Sequence, residues 1–248
     1  MLDDTLVTSF MSGFYGYGSY AADYWFVGME EGGAISAQEI VDHLEHWDRR
    51  GRNELEDLRD FHVTKGNKTY FTGAPKLQGT WSRLVRIVLG VEGAEASVAE
   101  VKAYQANSLG RQHGSTCLLE LLPLPSPTTG HWLYADLSSL SVLIDRATYR
   151  EHVVEPRAKH IRDLVTSHRP RAVIFYGVDH WYMSWWQRIA GAEFHKGSLD
   201  GRAIYTAGDA GTTFVIMKHP VSRGLTNRYL QQIGELLARS NGHAHSGA

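Results

Sequence analysis

Two short segments hold the residue types that could do chemistry, and each follows an apolar run that reads as a strand. In the first, Tyr24-Trp25-Phe26-Val27 leads into Gly28-Met29-Glu30-Glu31-Gly32-Gly33. In the second, Phe214-Val215-Ile216-Met217 leads into Lys218-His219-Pro220-Val221-Ser222. A glycine directly after a buried strand permits a tight turn, so Gly28 is expected to put Met29 and Glu30 on the sheet edge. A carboxylate there can orient or deprotonate a water. Proline after histidine holds the histidine backbone extended. A histidine at a strand end can stabilise negative charge developing on a ligand. The plainer alternatives, a turn with solvated acids and a histidine that caps its strand, stand beside these readings.

The elements that must position these residues follow from hydrophobic period and punctuation. Strands are expected at 23–28, 115–122, 171–176, 202–206 and 213–218. Pro123, Pro125 and Pro127 should end the second of them. Ser36-Ala37-Gln38-Glu39 and Ser97-Val98-Ala99-Glu100 have the capping-box pattern and open two helices, the first over about 37–48. Trp81, Leu84, Val85 and Val88 mark another helix that stops at Gly90. Segment 138–168 reads as helical, with Pro156 as the first residue of a new helix after a break. Helices over 179–190 and about 224–239 complete the pattern. The charged and turn-rich segment 49–78 is expected to pass over the sheet edge or the pocket. The glycine-rich run Gly13 to Gly18 lacks the lysine and the strand–loop–helix context of a phosphate loop.

Strands alternating with helices predict a three-layer α/β/α sandwich with a central, mainly parallel sheet. One domain over 1–240 is expected, with 241–248 as a disordered tail. Right-handed crossovers then place the strand C-termini on one edge. On that edge fall Gly28–Gly33, Glu120–Pro127, Gly177–His180 and His219–Ser222. The crevice outside that edge is where open α/β sheets bind ligands.

Composition narrows the classes. The 248 residues carry 43% hydrophobic and 21% charged side chains, enough for a packed core. A net charge of −2 gives no global attraction to nucleic acid, so DNA binding would need a local basic patch. The single cysteine, Cys117, excludes a disulfide within the chain and a Cys₄ cluster, and it suggests a reducing, cytoplasmic setting. No apolar run approaches a membrane span, and no signal-peptide pattern opens the chain.

Taken together, Gly28-Met29-Glu30-Glu31-Gly32 and His219-Pro220-Val221 resemble, in order and spacing, the two motifs of the uracil-DNA glycosylase superfamily. The run Arg169 to Gly177 is similar to that family's penultimate core strand. The resemblance implies a hydrolase that cleaves the N-glycosidic bond of a modified or mismatched base in DNA. It implies that Glu30 activates water and that His219 stabilises the departing base. Gly28, Met29 and Glu120 would then line the base pocket, with Tyr70 or Phe71 as its aromatic platform. Lys218, Ser222, Arg223, Leu225 and Arg228 would meet the DNA, with Arg223 or Leu225 pushed into the vacated stack. This chain departs from the pattern in having Glu31 in place of proline and Val221 in place of serine. Glu120 stands where many members place asparagine, and a carboxylate, which only accepts hydrogen bonds, would suit a base bearing amino groups.

No cofactor or metal is expected. His43 and His46 are read as surface residues of a helix, and His243 and His245 lie near the end of the chain. Trp181, Tyr182, Trp185 and Trp186 have the spacing of a helix face packed in the core or against another subunit. Two alternatives remain open: a protein of this fold that binds a nucleobase or nucleic acid without chemistry, and an unrelated α/β small-molecule enzyme. A basic strip beside the pocket would favour DNA over a small molecule.

Overall fold

Val27, Leu119, Ile174 and Val215 have no solvent exposure, and each sits in an unbroken apolar run. Such runs suit parallel strands covered on both faces. The structure, a computed structural model, describes residues 1–94, 96–128, 130–209 and 211–243. Its strands are β1 (Gly16–Tyr17), β2 (Tyr24–Gly32), β3 (Leu55–Glu56), β4 (Thr116–Ser126), β5 (Ala172–Tyr176), β6 (His195–Leu199), β7 (Arg202–Asp209) and β8 (Thr212–Met217). They form one sheet in the order β3-β1-β4-β2-β5-β8-β7-β6. The middle four, β4, β2, β5 and β8, run parallel, and β1, β7 and β6 add antiparallel pairings.

The helices are α1 (Asp4–Gly13), α2 (Ala37–Arg49), α3 (Leu58–Thr64), α4 (Gly79–Val91), α5 (Val98–Asn107), α6 (Tyr134–Leu137), α7 (Arg146–His168), α8 (His180–Ala190) and α9 (Asn227–His243). α4 packs on α5 and α9, whereas α7 packs on α8. Right-handed crossovers put these two groups on opposite faces of the sheet. The result is the expected three-layer α/β/α architecture. Among the described residues, no helix is long and apolar enough to cross a membrane.

Three expectations about local structure need correction, and one helix has no counterpart among them. β2 does not turn at Gly28 but continues to Gly32, so the glutamates belong to the strand. β4 likewise runs through Pro123 and Pro125 to Ser126. There the pairing with β2 continues, and on the β1 side helper side chains take over from the ladder. The Leu124 N–H donates to the Tyr149 hydroxyl at 2.9 Å, and the Tyr134 hydroxyl donates to Pro125 O at 3.0 Å. Arg157, only 2% exposed, donates to the carbonyls of Leu121 (2.8 Å), Glu120 (2.8 Å) and Met11 (3.0 Å).

Pro156 does not start a helix, because α7 passes through it unbroken. It lies on the exposed side, where one missing N–H is tolerated. Residues 4–13, finally, form a helix capped by the Asp3 side chain. The glycines that follow it let β1 lie close on β4: a Cβ at Gly18, where φ is +111°, would strike Thr116 O. The last helix starts at Asn227 and reaches His243, and residues 244–248 of the expected tail lie outside the described residues.

Candidate functional site

The order β4-β2-β5-β8 makes β2 and β5 the strands from which the chain leaves in opposite directions, and ligand crevices open at such switch points. A cavity of about 260 Å³ lies there. Its lining includes Glu30, Glu31, Glu120, Tyr176, His219 and Trp81. Neighbouring residues of a regular strand point to opposite faces. Glu30 and Glu31 both line this cavity because the β2–β4 register slips between Glu30 and Gly32. A bulge of this kind re-aims side chains.

One wall is built around a missing side chain. Gly28 pairs with Glu120 across the sheet, and a Cβ at Gly28 would collide with Glu120 Oε2 and the Tyr176 hydroxyl. The glycine therefore serves close approach and not a turn. In the space it leaves, Tyr176 donates its hydroxyl hydrogen to Glu120 Oε1 at 3.1 Å. Glu120 Oε2 is buried and has no hydrogen-bond partner. Burial, followed by the charge of Glu31, pushes the Glu120 carboxyl up to about 8, against the opposing pull of Tyr176 and Arg157. At neutral pH it is mainly a neutral acid, with an O–H donor beside an acceptor. That corrects the view of Glu120 as an acceptor alone.

His219 stands beyond β8, its ring centroid 5.4 Å from that of Tyr176 and edge-on to it. The Val221 N–H points at His219 Nδ1 at 3.4 Å, which leaves the ring proton on Nε2. Burial lowers the ring below its ordinary value, so a neutral N–H donor is the resting form.

The two glutamates of β2 differ in their partners. Glu30 forms an ion pair with Arg146 at the start of α7, and Glu30 Oε1 has no partner. Glu31 is 8% exposed and accepts from the Tyr17 hydroxyl at 2.7 Å. Its Oε2 faces His43 Nε2 at 3.4 Å, and Lys65 Nζ donates to His43 Nδ1 at 3.0 Å. Burial works to raise the Glu31 carboxyl, but His43 and then Tyr17 outweigh it and hold it below its ordinary value. His62, also in the lining, is pushed down to about 3 by burial and stays neutral.

Sequence-predicted residues divide accordingly. Met29, Glu30, Glu120 and His219 line the cavity, and Gly28 shapes it. Phe71 and Tyr70 do not line it: they pack behind Trp81, at ring distances of 5.6 and 5.7 Å. The aromatic wall is Trp81, Tyr176 and Tyr182 instead. Leu225 is 9% exposed and packed in the core, so it is not a protruding wedge. Lys218, Arg223 and Arg228 are exposed and Ser222 is half-buried, with Arg228 reaching Glu235 at 3.2 Å.

Sequence reasoning missed Glu31, Tyr17, Tyr176, Arg146 and His43. His43 and His46 are 5% and 8% exposed, not surface residues. The signal for His43 was present: with Ile40, Leu44 and Trp47 it completes an i, i+3, i+4, i+7 apolar face. Among the described residues, no group of three His, Cys, Asp or Glu side chains is placed to hold a metal ion. The cavity thus offers an organic ligand a neutral acid, two neutral imidazoles, two further carboxylates and aromatic faces. No protein-family model matches this sequence, and no curated protein matches it.

Proposed function

We propose that this chain hydrolyses the N-glycosidic bond of a modified or mismatched base in DNA. The supporting observation is convergence: carboxylates from the end of β2 and a histidine from beyond β8 face one aromatic-walled cavity. Its volume, about 260 Å³, lies just below the ~300–1,000 Å³ of sites for drug-sized ligands and suits one base with part of its sugar. Breaking this bond develops positive charge on the sugar and negative charge on the base. Carboxylates at the Glu30–Glu31 end stabilise the first, and the His219 Nε2–H stabilises the second. Glu120 and Tyr176 present a donor and an acceptor to the edge of a flipped base. Exposed Lys218 and Arg223 beside His219 supply charge for phosphates.

The experiment is base release from oligonucleotides carrying uracil, hypoxanthine, xanthine or mismatches, single- and double-stranded. Release by the wild type and its loss by ~100-fold or more in His219→Ala is the expected result, by analogy with a lost oxyanion donor. The Glu30–Arg146 ion pair favours a second reading, base binding without chemistry, because it occupies the carboxylate at the motif position. Binding of these oligonucleotides with no release from any of them would establish that second reading in place of the first.

A further inference from the structure

Resting on the hydrolase reading, we infer that Glu31, and not Glu30, is the base that activates water, and that His43 and Lys65 are its positioning residues. The two neighbours are built differently. Glu30 is committed to Arg146. Glu31 ends a buried polar chain that enters from outside the cavity: Lys65 Nζ to His43 Nδ1 at 3.0 Å, then His43 Nε2 to Glu31 Oε2 at 3.4 Å. With Nδ1 accepting from Lys65, the His43 proton sits on Nε2, 3.4 Å from Glu31 Oε2 but outside hydrogen-bond geometry. Tyr17 fixes the other oxygen, Glu31 Oε1, at 2.7 Å. Tyr17 thus fixes the rotamer of the carboxylate, and the His43 ring lies beside its free oxygen.

The surroundings keep the chain rigid. The His43 ring lies among Phe10, Phe14 and Phe61, at centroid distances of 5.5, 6.2 and 5.2 Å. Such packing leaves His43 no other polar partner, and its Nε2 has none within hydrogen-bond geometry. Glu31 Oε2 likewise has no hydrogen-bond partner, and the residue lines the cavity. An ionised, oriented carboxylate with an open lone pair is what a general base requires. Glu30 also keeps one unpartnered oxygen, Oε1, but its charge is already balanced by the Arg146 guanidinium, which makes it the weaker base of the two.

In the step, Glu31 Oε2 takes one proton of the water as its oxygen bonds to the sugar C1′. The C1′–N bond breaks and its electron pair leaves with the base, where His219 Nε2–H meets the charge. The proton held by Glu31 returns to the base through solvent. Water and glycoside are thereby converted to free sugar hydroxyl and neutral base, and the protein is restored.

The test uses whichever oligonucleotide of the panel the wild type turns over, with single-turnover kinetics. Glu31→Gln is expected to lower kcat by about 100- to 1,000-fold with KM within about threefold. Glu31→Ala is expected to recover at least about tenfold on addition of formate, a rescue that a structural role does not give. His43→Asn and Lys65→Met should lower kcat by about tenfold and leave KM alone, and they decide the matter if the Glu31 variants do not fold. Turnover that survives Glu31→Gln but is lost in Glu30→Gln, or no formate rescue in a folded Glu31→Ala, overturns the inference and leaves the hydrolase reading standing. No release by the wild type from any oligonucleotide overturns both.

Discussion

The two sides of the cavity are made by different rules. On the β5–β8 side, β5 stops at Tyr176 before Gly177, and β8 stops at Met217 before Lys218 and His219. On the β2–β4 side, β2 runs through Gly28 to Gly32 and β4 through two prolines to Ser126. The difference lies in what surrounds the backbone. Past Leu119, β4 has no partner in β1, and Arg157, Tyr149 and Tyr134 bind its backbone groups instead. Glycine and proline end a strand where nothing else can satisfy the chain. Where a helix supplies donors and acceptors, the strand goes on, and acids at its end are carried into the core.

Arg157 is the sharpest place to break that comparison. Arg157→Met removes donors to three carbonyls and the guanidinium stacked 3.9 Å over the Tyr15 ring. It should cost about 3–5 kcal/mol, read as a drop in the urea midpoint, since each unmet buried group costs about 1–3 kcal/mol. A loss below 1 kcal/mol would mean that β4 needs no helper. Gly28→Ala comes next. Its methyl group must displace Glu120 or Tyr176, costing about 1–3 kcal/mol in denaturant unfolding. Tolerance there would mean that the Glu120–Tyr176 contact is not packed against β2.

Tyr149→Phe should cost about 1–2 kcal/mol by leaving the Leu124 N–H unpaired. An unchanged thermal midpoint would assign that N–H to water. The last effect is a slope with pH. Glu120 has its folded value raised from 4.5 to about 8, so the folded state binds more protons than the unfolded chain in that window. Its contribution is full below pH 4.5 and is lost as pH rises towards 8, at no more than about 1.4 kcal/mol per pH unit. Stability measured from pH 5 to 8 should therefore fall more steeply in the wild type than in Glu120→Gln. Parallel curves would place the Glu120 carboxylate in its ordinary range.

The sequence made the central sheet legible because four apolar runs have no second use: buried on both faces, they can only pair with one another. It made Glu30, Glu120 and His219 legible as residues near strand ends. The second half of the site escaped for physical reasons. Glu31 enters the cavity only because of the bulge after Glu30, and no residue type announces that slip. Tyr17 and Arg146 are tied to the glutamates across 14 and 116 positions of the chain. Tyr70 and Phe71 misled because an aromatic pair reads the same whether it faces a ligand or backs Trp81.

The central claim is that a nucleobase occupies the cavity at the ends of β2, β4 and β5. Of the five methionines, only Met29 lies in its lining. Methyl-labelled methionine therefore gives one reporter inside the cavity and others outside it. Titration of the free bases uracil, hypoxanthine and xanthine, followed by methyl NMR, should shift Met29 and leave Met1 and Met183 in place, and Glu120→Ala should weaken that response. A Met29 signal unmoved by every base at millimolar concentration, or equal shifts of all the methionines, would contradict the account.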